Sequence, residues 1–274
     1  MSEESKFPAE EPLLCNDSRA TAELFSSALL ESEEELEYWD IIDTLRARAD
    51  QEVFEAARNC CQSISRRERQ VGVDVLMKLG EPERVFAGET LGILLRLVDQ
   101  EPDPDVLAEC CAALGFFDDA RIVEPLLRRK DHPYAKVRLR VVWSLPIETN
   151  ERALDAIVER TADANAEVRD WATAKLCDHP VDNTMIRAAL FRRLDDSDEA
   201  TAMEALLGLA KRGDKRILKR LLQALAARPV REQAIEAARE LGDARCYRPL
   251  LRIQELENDS LLHEARQRCK RKRP

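Results

Sequence analysis

The sequence predicts an all-α fold built from stacked helix pairs. Three observations carry this. Ala, Leu, Arg and Glu dominate a chain of 274 residues that is 45% hydrophobic but only 5% aromatic, with 8 Gly, and all four are strong helix formers. No alternating Val/Ile/Thr run marks a strand. One outline also recurs: residues 105–129 (DVLAECCAALGFFDDARIVEPLLRR) and 231–252 (REQAIEAARELGDARCYRPLLR) share a small-residue apolar run, a Leu-Gly, an Asp-x-Arg and a second apolar run ending in Leu-Leu-Arg. A helix pair of this kind cannot bury its own apolar stripe and does so by stacking on the next copy.

Aligning the first helix of each pair puts Val71, Val106, Val137, Val168, Thr201 and Gln233 in register. Eight residues on, every aligned position is Leu: Leu79, Leu114, Leu145, Leu176, Leu209 and Leu241. Four residues after each anchor stand Val75, Cys110, Val141, Ala172, Ala205 and Ala237, small or branched side chains suited to close helix approach. A short turn follows, then a second segment with apolar residues at i, i+3, i+4 and i+7, the stripe of an amphipathic helix.

The motif Asp-x-x-Val-Arg-x-x-Ala-x-x-x-Leu-Gly, followed by Asp-x-Arg and Leu-Leu, resembles the HEAT repeat in its short bacterial form, the PBS-lyase HEAT-like repeat. It is carried by Asp103-Pro104-Asp105-Val106, Ala135-Lys136-Val137-Arg138 and Ala166-Glu167-Val168-Arg169. The turn is carried by Asp119-Ala120-Arg121, Asp214-Lys215-Arg216 and Asp243-Ala244-Arg245. The resemblance covers about residues 65–270 and extends to uncharacterised bacterial HEAT-repeat proteins. It implies a right-handed α-solenoid superhelix of about six HEAT-like helix pairs plus N-terminal capping helices, an armadillo-type architecture. The expected organisation is an acidic disordered tail over 1–17, capping helices over 18–64, repeats over 65–258, a capping helix over 259–269 and a basic tail over 270–274. Ser32–Glu35 reads as a capping box ahead of a helix through Arg48.

The N-terminus lacks a positive n-region and an apolar h-region, so no signal peptide is expected. No run approaches 18 apolar residues, so no membrane span is expected, and the setting read from the sequence is cytoplasmic. The eight cysteines include two adjacent pairs, Cys60–Cys61 and Cys110–Cys111, and no C-x-x-C. Adjacent helical residues point apart, so these read as buried, reduced, small hydrophobes. The net charge of -10 is uneven: residues 1–40 hold twelve acids and two bases, and the remainder is neutral.

Catalysis needs convergent polar groups. There are three histidines; His132 and His179 each precede a proline in a turn, and His263-Glu264 is a lone dyad. HEAT-like iron hydroxylases use several such dyads to hold two irons, so one cannot supply that ligand set. No G-x-S-x-G, phosphate-binding loop or H-E-x-x-H occurs. The sequence therefore predicts no enzyme, no cofactor and no metal site. Trp143 and Trp171, on first helices, read as core or inter-repeat packing.

What remains is a surface. In HEAT solenoids the second helices generally line the concave face. Those segments carry 18 bases and 7 acids, whereas the first helices are balanced. Arg121, Arg152, Arg216 and Arg245 occupy the turn, where an arginine bonds the Asp or Asn two residues earlier. The remaining cations, Arg128, Arg129, Arg187, Arg192, Arg193, Lys219, Arg220, Arg248 and Arg252, are the expected partner-binding residues. The expected function is a non-enzymatic protein-interaction scaffold that takes another protein or an acidic peptide by charge complementarity, with residues 1–17 as an internal competitor. The alternative is nucleic-acid binding, possibly DNA-repair related, on the same face and the tail 270–274. The acidic net charge and the absence of aromatics interleaved with the basic residues argue against it.

Overall fold

Helices begin where the sequence supplies a short polar side chain. In the computed structural model, Asp50, Ser65, Asp103, Asn150, Asn165, Asn183 and Asp198 each accept a bond from a backbone N–H in the following turn, satisfying donors that the helix itself leaves open. The structure describes residues 17–31, 35–253 and 259–270. These are helical throughout, with sixteen α-helices and no strand among them. Residues 32–34 of the expected capping box and nearly all of the two tails lie outside the described residues; Glu35 is the N-cap of the helix that starts at Leu36 and makes no side-chain capping bond.

Helices α1 (Thr21–Leu30), α2 (Leu36–Arg48) and α3 (Gln51–Cys60) come first. The first helices of the repeats are α4 (Arg66–Met77), α6 (Pro104–Leu114), α8 (Ala135–Ser144), α10 (Ala166–Asp178), α12 (Glu199–Lys211) and α14 (Glu232–Leu241). They alternate with second helices α5 (Ala87–Gln100), α7 (Val123–Arg129), α9 (Glu151–Arg160), α11 (Thr184–Arg193), α13 (Leu218–Ala226) and α15 (Tyr247–Leu251). A 3₁₀ turn leads into α7, α13 and α15, and α16 (Asp259–Cys269) follows last.

The chain forms two compact units, 1–144 and 145–274. In the first, α3 packs on α4, α4 on α6 and α6 on α8. In the second, α10 packs on α12, α12 on α14 and α14 on α16, with α9 and α11 against α10. The recurring leucines fill these contacts. Leu114, Leu145, Leu176 and Leu209 are fully buried, Leu79 nearly so, and Leu241 half-buried. Val106, Val137, Val168 and Thr201, with Cys110, Val141, Ala172, Ala205 and Ala237, are also fully buried. Each large apolar side chain so buried stabilises the fold by about 1.5–3 kcal/mol.

The first repeat sits three residues out of the register read from the sequence. Its cap is Ser65, and Arg69 follows four residues later, as Arg169 follows cap Asn165. Gly72 and Leu76 therefore take the places of Ala172 and Leu176. Gly72 is needed there: a Cβ would lie 2.8 Å from Ala57 O and from Cys61 Sγ on the α3 side. Gly92, by contrast, faces open space within α5.

One polar network lies inside the first unit. Tyr38, fully buried, donates to Asp74 Oδ2 (2.5 Å), and Gln70 Nε2 donates to both Asp74 oxygens (3.0 and 3.1 Å). Burial pushes the Asp74 carboxyl up to about 6, against the pull of Tyr38, Gln70 and Arg46. Gln70 Oε1 is buried without a hydrogen-bond partner.

Two predictions follow from this packing. Asp74→Asn removes a buried charge, and its new amide N–H can bond Gln70 Oε1 once that side-chain amide flips. The wild-type group has a raised folded value, so its stabilising contribution belongs to low pH and is lost as pH rises through about 6. The variant should therefore melt higher than wild type at pH 7.5, and the gap should shrink as pH falls toward 4. Denaturant titration should show Gly92→Ala stabilising by about 1 kcal/mol and Gly72→Ala destabilising by roughly 1–3 kcal/mol.

Candidate binding face on the second helices

The turn before three second helices closes on itself. Arg121 donates to Asp119 through Nε (2.9 Å) and Nη2 (2.8 Å), Arg216 to Asp214 (2.9 and 2.6 Å) and Arg245 to Asp243 (2.9 and 2.8 Å). The same carboxylates accept from the backbone N–H of the arginine. These bonds hold Asp119, Asp214 and Asp243 down at about 2. Asn150, in the equivalent place, bonds the Ala153 N–H.

Five of the nine cations expected to bind a partner are engaged within the fold. Arg129 donates to Val98 O (3.0 Å) and Asp99 O (3.1 Å), closing the C-terminus of α5. Arg128 pairs with Asp99 (2.7 Å). Arg220 donates to Leu194 O at the end of α11 (3.2 Å). Arg193 pairs with Asp196 (3.0 Å). Arg187 reaches Asp182, Asp214 (3.3 Å) and Arg212 O (2.6 Å). The physical reason is local: a helix C-terminus exposes carbonyls that a cation one repeat later can satisfy.

Arg192, Lys219, Arg248 and Arg252 differ. All four are exposed, and no side-chain partner stands against them among the described residues. They lie on or just past α11, α13 and α15, all in the second unit. Arg187 and Arg192 also line an open cleft of about 420 Å³ with Thr184, Ala188, Phe191 and Arg216. Phe191 is 39% exposed, and the Arg216 guanidinium lies 4.8 Å from its ring centroid. The cleft presents an apolar plate edged by guanidinium groups, a surface suited to a carboxylate beside an apolar group.

Residues 91–177 match the family of HEAT repeats. That segment carries HEAT repeats. It is similar to protein YibA of Escherichia coli K12, 33% identical over 107 residues, which is 39% of this chain and 38% of that protein. The chain thus matches well under half the length of this curated relative. The X-ray structure of E. coli YibA superposes with a TM-score of 0.78 over 98% of this chain and all of that chain, at 22% identity. The structure of the S. pombe condensin Cnd3–Cnd2 subcomplex matches 88% of this chain and 36% of that chain, with a TM-score of 0.60 and 20% identity.

Two of the three histidines hold turns. His179 is buried; its Nε2 faces Ile147 O (3.2 Å) and its Nδ1 accepts from Val181 N. His132 Nδ1 accepts from Tyr134 N. His263 is exposed, and Glu264 pairs with Arg239. Among the described residues no group of three or more His, Cys, Asp or Glu side chains could hold a metal ion, and no helix is long and apolar enough to cross a membrane. Trp143 packs on Phe116 between α6 and α8 (5.2 Å). Trp171 departs from its expected packing and is 42% exposed, because its place on α10 lies off the buried line of Val168, Ala172 and Leu176.

Sequence reasoning missed the inter-repeat rungs. Arg69 pairs with Glu101 (2.8 Å) and Arg169 with Asp196 (2.9 Å), each pair nearly sealed from solvent. Both arginines also bond two carbonyls of the loop before their own helix. The readable signal was an arginine four residues after a cap and an acid two residues before the next one.

Asp214, which joins Arg216 and Arg187, should be the costliest of the turn acids to neutralise. Asp214→Asn should lower stability by about 2 kcal/mol at pH 7. Its depressed value means that this contribution is present above its ordinary 3.8 and is lost as pH falls toward 2. Chemical denaturation of both forms should show the gap closing over that interval.

Proposed function

We propose that the chain is a non-enzymatic binding scaffold whose second unit takes an acidic protein or peptide on the exposed face of α11, α13 and α15. The observation that carries this reading is the contrast among cations. Five of the nine expected arginines and lysines bond carbonyls or carboxylates of the fold, whereas Arg192, Lys219, Arg248 and Arg252 are exposed, with no side-chain partner among the described residues. Exposed cations without an internal role repel one another and favour an anionic partner. The Phe191 cleft adds an apolar anchor beside them. The likeness in fold to a chain of the condensin Cnd3–Cnd2 subcomplex supports the reading in kind, since that fold sits there within a protein assembly.

The test uses the full chain and a variant carrying Arg192→Glu, Lys219→Glu, Arg248→Glu and Arg252→Glu. Both are offered nuclease-treated native lysate, and retained proteins are identified by mass spectrometry and titrated at two salt concentrations. The expected result is a discrete protein whose affinity falls at least about tenfold in the variant and weakens with salt. Retention of nothing but nuclease-sensitive material, or equal affinity for both forms, would overturn the proposal.

A further inference from the structure

One face of α2 presents apolar side chains to solvent. The buried stripe of this helix is Tyr38, Ile41, Ile42 and Leu45, and α2 packs on α1 and α4. Trp39 and Asp40 follow Leu36 by three and four residues, so the three share a face that the stripe does not use. Leu36 is 84% exposed and Trp39 38% exposed, and Asp40 is exposed beside them. Leu30, the last residue of α1, is 85% exposed. Glu35 and Glu37 flank Leu36 in the chain and are exposed too. Two large apolar side chains left in water on one helix face, within a region rich in acids, are the mark of a surface that meets a partner.

We infer that this α2 face docks on the exposed face of α11, α13 and α15 of a second copy of the chain, head to tail, resting on the binding role proposed above for that second face. The two surfaces are complementary in kind. The Phe191 cleft, about 420 Å³ in volume, has an apolar plate edged by guanidinium groups, and the α2 face offers an apolar side chain with a carboxylate beside it. They are also complementary in charge. Residues 1–40 hold twelve acids and two bases, whereas Arg192, Lys219, Arg248 and Arg252 are exposed cations of the second unit. Leu36 or Trp39 enters the cleft and leaves water, and Asp40, Glu35 and Glu37 meet the cations. Charge favours this pairing over acidic face on acidic face or basic face on basic face. The contact is heterologous, because it joins two different patches, so each docked pair keeps one patch of either kind for a further copy.

Sedimentation velocity of the full chain over a rising concentration series tests this, at low ionic strength and at about 1 M salt, where the screening length falls to about 3 Å. Two variants each neutralise one surface: Leu36→Gln, Glu37→Gln and Asp40→Asn in the first, and Arg192→Gln, Lys219→Gln, Arg248→Gln and Arg252→Gln in the second. The expected result is association that grows with concentration, fades in salt and weakens at least about tenfold in either variant. Mixing the two variants should restore pairing but stop at a dimer, since a mixed pair has one intact contact and nothing to extend it. A wild-type chain that stays monomeric throughout, association that either variant leaves unchanged, or variants that fail to pair when mixed would overturn the inference. A fluorescent peptide of alternating glutamate and leucine, followed by anisotropy, reports on the α11, α13 and α15 face by itself. If the wild-type chain is monomeric yet binds the peptide more tightly than the second variant does, self-docking fails and the acidic-ligand face stands. If the chain is monomeric and the peptide does not distinguish the two, both fail.

Discussion

A guanidinium set four residues past a first-helix cap holds neighbouring repeats in place. Arg69 and Arg169 each bond two carbonyls of the loop behind them and a carboxylate of the loop ahead, Glu101 and Asp196 respectively. Apolar stacking alone would tolerate sliding, since leucine contacts are not directional. These bonds do not tolerate it, because a planar fork meets a carboxylate in one arrangement. The same carboxylates also accept from the backbone N–H of the next cap, Asp103 or Asp198. One acid thus fixes a loop, a cap and the preceding helix together. Because the pairs are sealed from solvent, losing one partner would leave the other buried and unsatisfied, which costs more than the pair gains.

That arrangement decides which charges are left for anything else. Arg129 and Arg220 close the C-termini of α5 and α11, and Arg212 bonds the carbonyls of Leu176 and Cys177 in the last turn of α10 and of His179 just past it. Arginine suits this work because its five donors can satisfy several carbonyls at once. A basic surface counted from composition is therefore mostly internal wiring. Subtracting it from the nine expected cations leaves four, on or just past α11, α13 and α15 in the second unit.

The elements with short-range causes were legible in the sequence. The leucine eight residues after each anchor is buried in five of six repeats, because helical periodicity puts it on the inner stripe. The Asp-x-Arg turns could be read because donor and acceptor are two residues apart. The carbonyl closures join residues far apart in the chain, 26 for Arg220 with Leu194 and 36 for Arg212 with Leu176, and no local pattern distinguishes such an arginine from a free one. Leu241, near the end of the stack, is only half-buried despite an identical motif, and Trp171 is exposed although aromatic. The first repeat slipped by three residues because Val71, Val75 and Leu79 form as good a stripe as the one its cap selects.

In the binding proposed above, the uncommitted cations and the committed ones would contribute differently. Arg216 is clamped by Asp214 and lies over Phe191, so it can meet a partner without losing much further freedom, and its rigidity limits the entropy cost of the complex. Its charge is largely matched, so it offers shape and a polarised edge more than attraction. Arg192 and Lys219 are the reverse: exposed and with no side-chain partner among the described residues, they would draw an anionic partner from a distance but lose rotamer freedom when it docked. A face holding both kinds can separate the two tasks, with free charges setting the rate of encounter and the clamped turn setting which geometry is retained. Salt should therefore slow association through the first group while leaving the fit at the Phe191 cleft to govern how long the complex lasts.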